Sequence, residues 1–566
     1  MQVERIDDIP LICNELKTLE IGNLINSHFP VHGNWQGASI GTLSCVFLSY
    51  IMSQSDHRLS HVEDWYSSLE TIINHCLESP TLTRLDCTDD RLGSLLDYLS
   101  DDACYEGFER ALNQHIIRVY SLESEAPVIH LDATIAQSYK SVSDLFSIGY
   151  AKHRHKDLPQ VKVMLSTLDP LGMALCVQVV NGAVSDDVLY LPMVERVEKT
   201  LEKKGLLFVG DSKLGSIGNR GTIAHKGHYY LTPLNGVQLP FSELQKLVTP
   251  EALKHVIDKD KLIYLGQNKE IRAFEYSLMR QYEGHTWQER LIVAHSPSYS
   301  KTQITQLDKQ IKQAEQKIKG LIQIKQGKTA IQNEVELRQK IKDILDKSKT
   351  SAFFTIHIDT TITQTITRKY GNRPQQSHLK STFALSIHPN LSAIEAHKQT
   401  LGWRVYATNA PVIALDTAKV IETYREEYKV EYCFDQLHNK IAQLMPIYLH
   451  KDQRIKALIR LLLIACKVLS TIQFKAREAL KNTQSQVNEL FPGNPGRKTN
   501  QPTAEMMLSN FLNISLVFML INNTVHIQVS RLSKSQIYLL KLLNIDPRIY
   551  QDLPQVLLPK FKWGET

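Results

Sequence analysis

Long hydrophobic runs, paired cysteines and a phosphate-cradling glycine loop are all missing from this 566-residue chain. The most apolar stretches, LIRLLLIACKVL (458–469) and ISLVFMLI (514–521), are too short or too charged to span a bilayer, which takes about 20 apolar residues. The opening MQVERIDDIPLICNELKTLE is acidic and has no apolar h-region, so it does not read as a secretory signal. These absences lead to the expectation of a cytoplasmic protein without a membrane partner. The eight cysteines (Cys13, Cys45, Cys76, Cys87, Cys104, Cys176, Cys433 and Cys466) include no C-x-x-C pair, which argues against a zinc ribbon, a redox centre and a disulfide scaffold. They read as small buried hydrophobes. GNPGRKT (493–499) lacks the four residues that separate the first Gly from the GK pair of a Walker A loop, so nucleotide binding is rejected there.

What the chain does have is charge asymmetry. The net charge is +6, but residues 1–130 sum to −13, 131–300 to +2 and 301–566 to +17. A basic C-terminal half suits a polyanion partner. The acidic start does not suit a purely electrostatic DNA grip.

Apolar spacings of three and four predict a helical region over 1–122, as in GTLSCVFLSYIMSQ. Short strands follow in APVIHLD (126–132), LPQVKVMLSTLD (158–169) and MALCVQVVNG (173–182), then a helix over Asp186 to Lys204. GLLFVGD (205–211) and HYYLTPL (228–234) complete the set. Three strands, a helix and a buried strand ending in an acid make an RNase H-like order over 123–235. Residues 236–402 break it with strand-like pieces around a lysine- and glutamine-rich stretch. There Ile304, Leu307, Ile311, Ala314, Ile318 and Leu321 keep a 3-4-3-4-3 spacing, resumed by Leu337, Ile341 and Ile344. That predicts an antiparallel helical hairpin over 301–348 with a coiled-coil seam, its lysines solvated or facing DNA. The core resumes over 403–485 with WRVYATNA and a helix from Asp416, and 486–566 reads as a helical extension behind the linker FPGNPGRKTNQPT (491–503).

An acid stands at the end of each of two apolar stretches: Asp132 after VIHL and Asp211 after LLFVG. Strand ends are where α/β sheets present ligands, and two carboxylates there can share hard divalent cations. A third acid is expected from a helix. In IETYREEYKVEYCFDQLHNKIAQL, Val430, Phe434, Leu437, Ile441 and Leu444 form a buried stripe, and Glu431 lies beside it with Tyr424, Tyr428 and His438.

These features, with TDDRLGSLLDYL, IHLDATIAQSY, GYAKHRHKDLPQVKVMLSTLDPLGMALCVQVVNGAVSDD, LFVGDSKLGSIGN, WQERLIVAHSP and YREEYKVEYCFDQLH, resemble the DDE transposases of bacterial insertion sequences, in the subgroup with a β-rich insertion before the last acid. The resemblance covers nearly the whole chain. The subgroup's signature is Tyr, two residues, Arg, three residues, Glu, six residues, Lys. Tyr424 and Glu431 fit it, while Glu427 takes the Arg slot and His438 the Lys slot, with Arg425 and Lys429 close by. The resemblance implies Asp132, Asp211 and Glu431 as catalytic metal ligands for two Mg²⁺ or Mn²⁺ ions, cleavage at element ends, strand transfer into target DNA, and a homodimer on paired double-stranded ends. Two alternatives remain: an RNase H-like nuclease without strand transfer, and a DNA-binding descendant without catalysis.

Other residues carry two readings each. Thr134, facing as Asp132 does, suits a hydrogen bond to a metal water or a purely structural strand. Lys213 and Arg220 suit a scissile-strand phosphate, as do Tyr424, Arg425 and His438 on the acid-bearing helix. Trp287 suits either stacking on a displaced base or the core. His153 and His155 form an H-x-H that reads as a turn near DNA rather than a zinc site.

Overall fold

The computed structural model describes residues 1–122, 127–149, 157–248, 261–264, 270–323, 331, 333–367, 376–426, 428–439 and 441–559. His153 and His155 lie outside them.

Seven helices, α1–α7, form the N-terminal region: Ile9–Thr18, Ile21–His28, Ile40–Gln54, Leu59–Ser67, Glu70–Cys76, Asp89–Leu99 and Asp102–Val119. They follow a short strand β1 (Gln2–Arg5). The next strands are β2 (Val128–Gln137), β3 (Gln160–Leu168), β4 (Met173–Asn181), β5 (Leu207–Gly210) and β6 (Tyr229–Pro233). They stand side by side in the order β4-β3-β2-β5-β6. β2–β3 and β3–β4 are antiparallel, whereas β2–β5 and β5–β6 are parallel. Helices α8 (Tyr190–Leu201) and α9 (Ile217–His225) make the two crossovers that parallel pairing demands. This is the RNase H-like order. β3 is buried along its entire length, which accounts for its nearly unbroken apolar run.

The sheet does not stop at β6. It continues through β12 (Trp403–Thr408), β9 (His285–His295), β8 (Glu270–Tyr282) and β7 (Lys261–Tyr264), nine strands among the described residues, with the short helix α10 (Phe241–Leu247) between β6 and β7 in the chain. The inserted hairpin β8–β9 turns on Glu283 and Gly284, both at positive φ, as a two-residue turn requires. The β-rich insertion thus begins as an extension of the core sheet.

Beyond it, α11 (Pro297–Lys319) and α12 (Glu334–Ser348) form the expected helical pair. Their seam is not a free-standing coiled coil. Ile318, Leu337 and Ile341 pack on Ile356, Ile358, Phe383, Leu385 and Ile387 of the hairpin β10 (Phe354–Thr367) and β11 (Gln376–Pro389). Leu307 packs on Phe353 and Ile394, the latter in α13 (Leu391–Gln399). The expectation of a coiled-coil seam is corrected to this extent: strict alternation in β10 and β11 supplies an apolar face that the pair of helices covers.

α14 (Thr417–Arg425), α15 (Tyr428–Asn439) and the 31-residue α16 (Asp452–Asn482) complete the core. LIRLLLIACKVL lies inside α16, which is buried on nearly every side. Among the described residues no helix is long and apolar enough to cross a membrane. The C-terminal extension is not purely helical. ISLVFMLI forms β13 (Ser515–Ile521), turns on Asn522 and Asn523 at positive φ, returns as β14 (Thr524–Val529), and pairs with β1. Seven apolar residues in eight, followed by an Asn-Asn turn, favour a hairpin over a helix.

Candidate functional site

β2 presents Val128, His130, Asp132 and Thr134 to one face of the sheet, since strand side chains alternate. Asp132 is not at the end of its strand, because β2 runs on to Gln137 against β3. It sits where the parallel neighbour stops: Leu131 pairs with Gly210, so Asp132 lies next to Asp211 just beyond β5. Both acids are half-buried. Asp211 Oδ1 accepts from the Tyr190 hydroxyl at 2.7 Å and from the Lys213 backbone N–H at 2.8 Å, and its carbonyl accepts from Thr232 Oγ1 at 2.7 Å. Asp132 Oδ1 accepts from the Ala133 N–H at 2.7 Å. Burial, with the charges of Asp211 and Asp132, pushes the Tyr190 phenol well up, so it stays a donor.

α15 passes over this strand face between two side-chain contacts. Before it, Glu426, which caps α14, gathers with His130. At its far end His438 Nε2 lies 3.0 Å from Thr134 Oγ1. Asp132 lies between His130 and Thr134, and the first turns of α15 lie between Glu426 and His438. Glu431 is exposed and shares the face of His438, seven residues on, while Val430, Phe434 and Leu437 form the buried stripe. Ile441 and Leu444 continue that stripe in burial but fall beyond the helix end. Asp435, three residues before His438, shares the polar face and is half-buried. Asp132 and Asp211, oxygen-only donors on neighbouring strands, suit a hard divalent cation, but ligand atoms of Asp132, Asp211 and Glu431 do not all fall within 4.8 Å of one another.

The remaining expected residues divide. Lys213 is half-exposed beside Asp211, its Nζ 4.0 Å from Asp187, and Arg425 is exposed. Arg220 turns inward: Glu289, fully buried, pairs with its guanidinium. Arg280 Nε lies 2.6 Å from the same carboxylate, and the Tyr230 hydroxyl donates to it at 2.6 Å. Trp287 joins this network, donating from Nε1 to the Tyr230 oxygen at 2.9 Å. A buried charge needs such partners, so Arg220 serves the interior rather than a phosphate. Tyr424 is buried against Tyr406, ring centroids 5.0 Å apart, in the apolar layer under α14.

Sequence reasoning passed over His130, Asp169, Glu426 and Tyr190. The signal for His130 was present: two residues before Asp132, it had to share that face. No sequence pattern announces the other three, which reach the site from a turn, a helix cap and a crossover helix.

No family model matches the chain, and no curated protein matches it. Among solved structures, a piggyBac transposase synaptic complex with hairpin DNA covers 81% of this chain and 80% of its own, at 10% identity and a TM-score of 0.23. That score is too low to bear on the site.

Proposed function

We propose that this chain is a DNA transposase of the DDE type, cleaving at the ends of its element and joining the freed ends to target DNA. One observation carries the reading: Asp132 and Asp211 are neighbours on the adjacent parallel strands β2 and β5 of an RNase H-like sheet, and Glu431 on α15 is the helix acid that would join them. Asp132, Asp211 and Glu431 would hold Mg²⁺ or Mn²⁺, two ions that supply Lewis acidity at the attacking and leaving oxygens of a phosphodiester. The chain's own groups do the rest. Tyr190 and the Lys213 N–H keep the Asp211 carboxylate oriented. Lys213 and Arg425 stand exposed for phosphate contacts, and His438 tethers α15 to β2 through Thr134. Double-stranded DNA is the partner, engaged by a homodimer that pairs two ends.

The test is cleavage and strand transfer on duplexes carrying the terminal repeats that flank the coding region, in Mg²⁺ and in Mn²⁺. Asp132→Asn, Asp211→Asn and Glu431→Gln should each lower both steps by a thousandfold or more with end binding retained, since phosphate affinity comes from Lys and Arg. Near wild-type nicking by Asp211→Asn refutes the mechanism. A silent Glu431→Gln with a dead Asp435→Asn moves the helix acid by one turn. Cleaved but never joined products identify a nuclease instead.

A further inference from the structure

Two residues before Asp132, on the same face of β2, stands a second donor group. His130 is fully buried, with Nε2 3.2 Å from Asp169 Oδ2. One ligand atom from each of His130, Asp169 and Glu426 falls within 4.8 Å of the others. Among the described residues this is the only such trio of His, Cys, Asp or Glu side chains. Three separate parts of the chain supply it: strand β2, the turn between β3 and β4, and the cap of α14.

His130 Nδ1 is buried and makes no hydrogen bond to any described residue. A protonated His130 between the two carboxylates explains the convergence but supplies one positive charge for two negative ones. A divalent ion at Nε2 also explains the convergence, and it balances both carboxylates, which a single imidazolium charge does not. Tetrahedral ligands at about 2.0–2.2 Å from an ion stand roughly 3.3 Å apart, so the trio, within 4.8 Å of one another, would draw in by up to about 1.5 Å to hold one.

We propose that His130, Asp169 and Glu426 bind one divalent transition-metal ion, separate from any ion held by Asp132 and Asp211. One imidazole and two carboxylates select Zn²⁺ or Mn²⁺ over Mg²⁺ and Ca²⁺, and three protein ligands leave one position open. The ion ties the start of α15 to β2. This proposal does not depend on what the chain does to DNA.

The full chain, stripped with a chelator, is titrated with Zn²⁺ and its bound metal counted after dialysis; Co²⁺ is substituted to read ligand geometry from its visible absorption. Asp169→Asn and Glu426→Gln, which are near-isosteric, should each weaken Zn²⁺ binding tenfold or more and lower the Zn²⁺-dependent rise in Tm. A His130→Asn protein should lose the imidazole signature in X-ray absorption. Asp132→Asn and Asp211→Asn should leave that site filled. The proposal is overturned if stripped wild-type protein retains no Zn²⁺. It is equally overturned if folded Asp169→Asn and Glu426→Gln proteins bind Zn²⁺ as wild type does, or if only Asp132→Asn releases it.

Discussion

The Glu289 carboxylate sits at zero exposure among Arg220, Arg280 and the Tyr230 hydroxyl. Neutralising it leaves Arg220, itself almost fully buried, without its counter-ion. Glu289→Gln should therefore cost about 3–5 kcal/mol of stability, read from the urea midpoint, whereas a double Arg220→Met, Glu289→Leu change should cost markedly less. A loss under about 1 kcal/mol for the single variant would show that the charge is solvated. Asp8 presents the opposite case. Burial pushes its carboxyl up to about 7, against the Ser53 hydroxyl that donates to it at 2.7 Å. The unfolded chain releases this proton near pH 4, so folding favours the protonated form. Stability is undiminished below about pH 4, falls as pH rises toward 7, and stays lowered above that. Asp8→Asn should thus raise Tm at pH 8 and leave it nearly unchanged at pH 4; an equal effect at both pH values would exclude burial of the charge as the cause.

At the scale of elements, the inserted module shows why a periodic stripe can be read correctly and still be misassigned. The spacing through Leu307, Ala314 and Ile318 does bury those side chains, as a helical seam should. The partner surface came from elsewhere: Ile356, Ile358, Leu385 and Ile387 line one face of the β10–β11 hairpin. Deleting 303–346 with a short Gly-Ser closure would uncover that face in water. The shortened protein should aggregate, or bind a hydrophobic dye several-fold more than wild type does, rather than fold cleanly without its arm. A monodisperse, dye-silent deletion would mean that the hairpin is stable alone. The same logic explains β13. Its apolar run was visible, but its pairing depended on β1, more than 500 residues earlier.

Across the whole molecule, the two ends of the chain close on each other. β1 pairs with β13, the Asn513 N–H donates to Asp7 Oδ1 at 2.7 Å, and the Tyr550 hydroxyl donates to the Asp7 carbonyl at 3.0 Å. α16 adds Lys475 to Glu15 at 2.6 Å and buries Lys467 against Asn113 and the Leu175 carbonyl, where desolvation lowers the ammonium pKa. Removing residues 1–6 should therefore speed amide exchange in 515–529 at least tenfold while sparing β2 and β5. Equal protection with and without those residues would make β1 a passive edge.

By itself the sequence determined the local elements of the core: strands β2 to β6, the crossover helix α8 and the buried stripe of α15, because periodicity and strand propensity act over a few residues. It also marked Asp132 and Asp211, since each follows an apolar strand pattern. Only tertiary structure decided which side chains meet across hundreds of residues. It turned Arg220 and Trp287 inward, gathered His130 with Asp169 and Glu426, and carried α15 across β2 from Glu426 to His438. The reason is desolvation. Whether a charged side chain faces water or a partner depends on what the remote chain packs over it, and no local pattern encodes that.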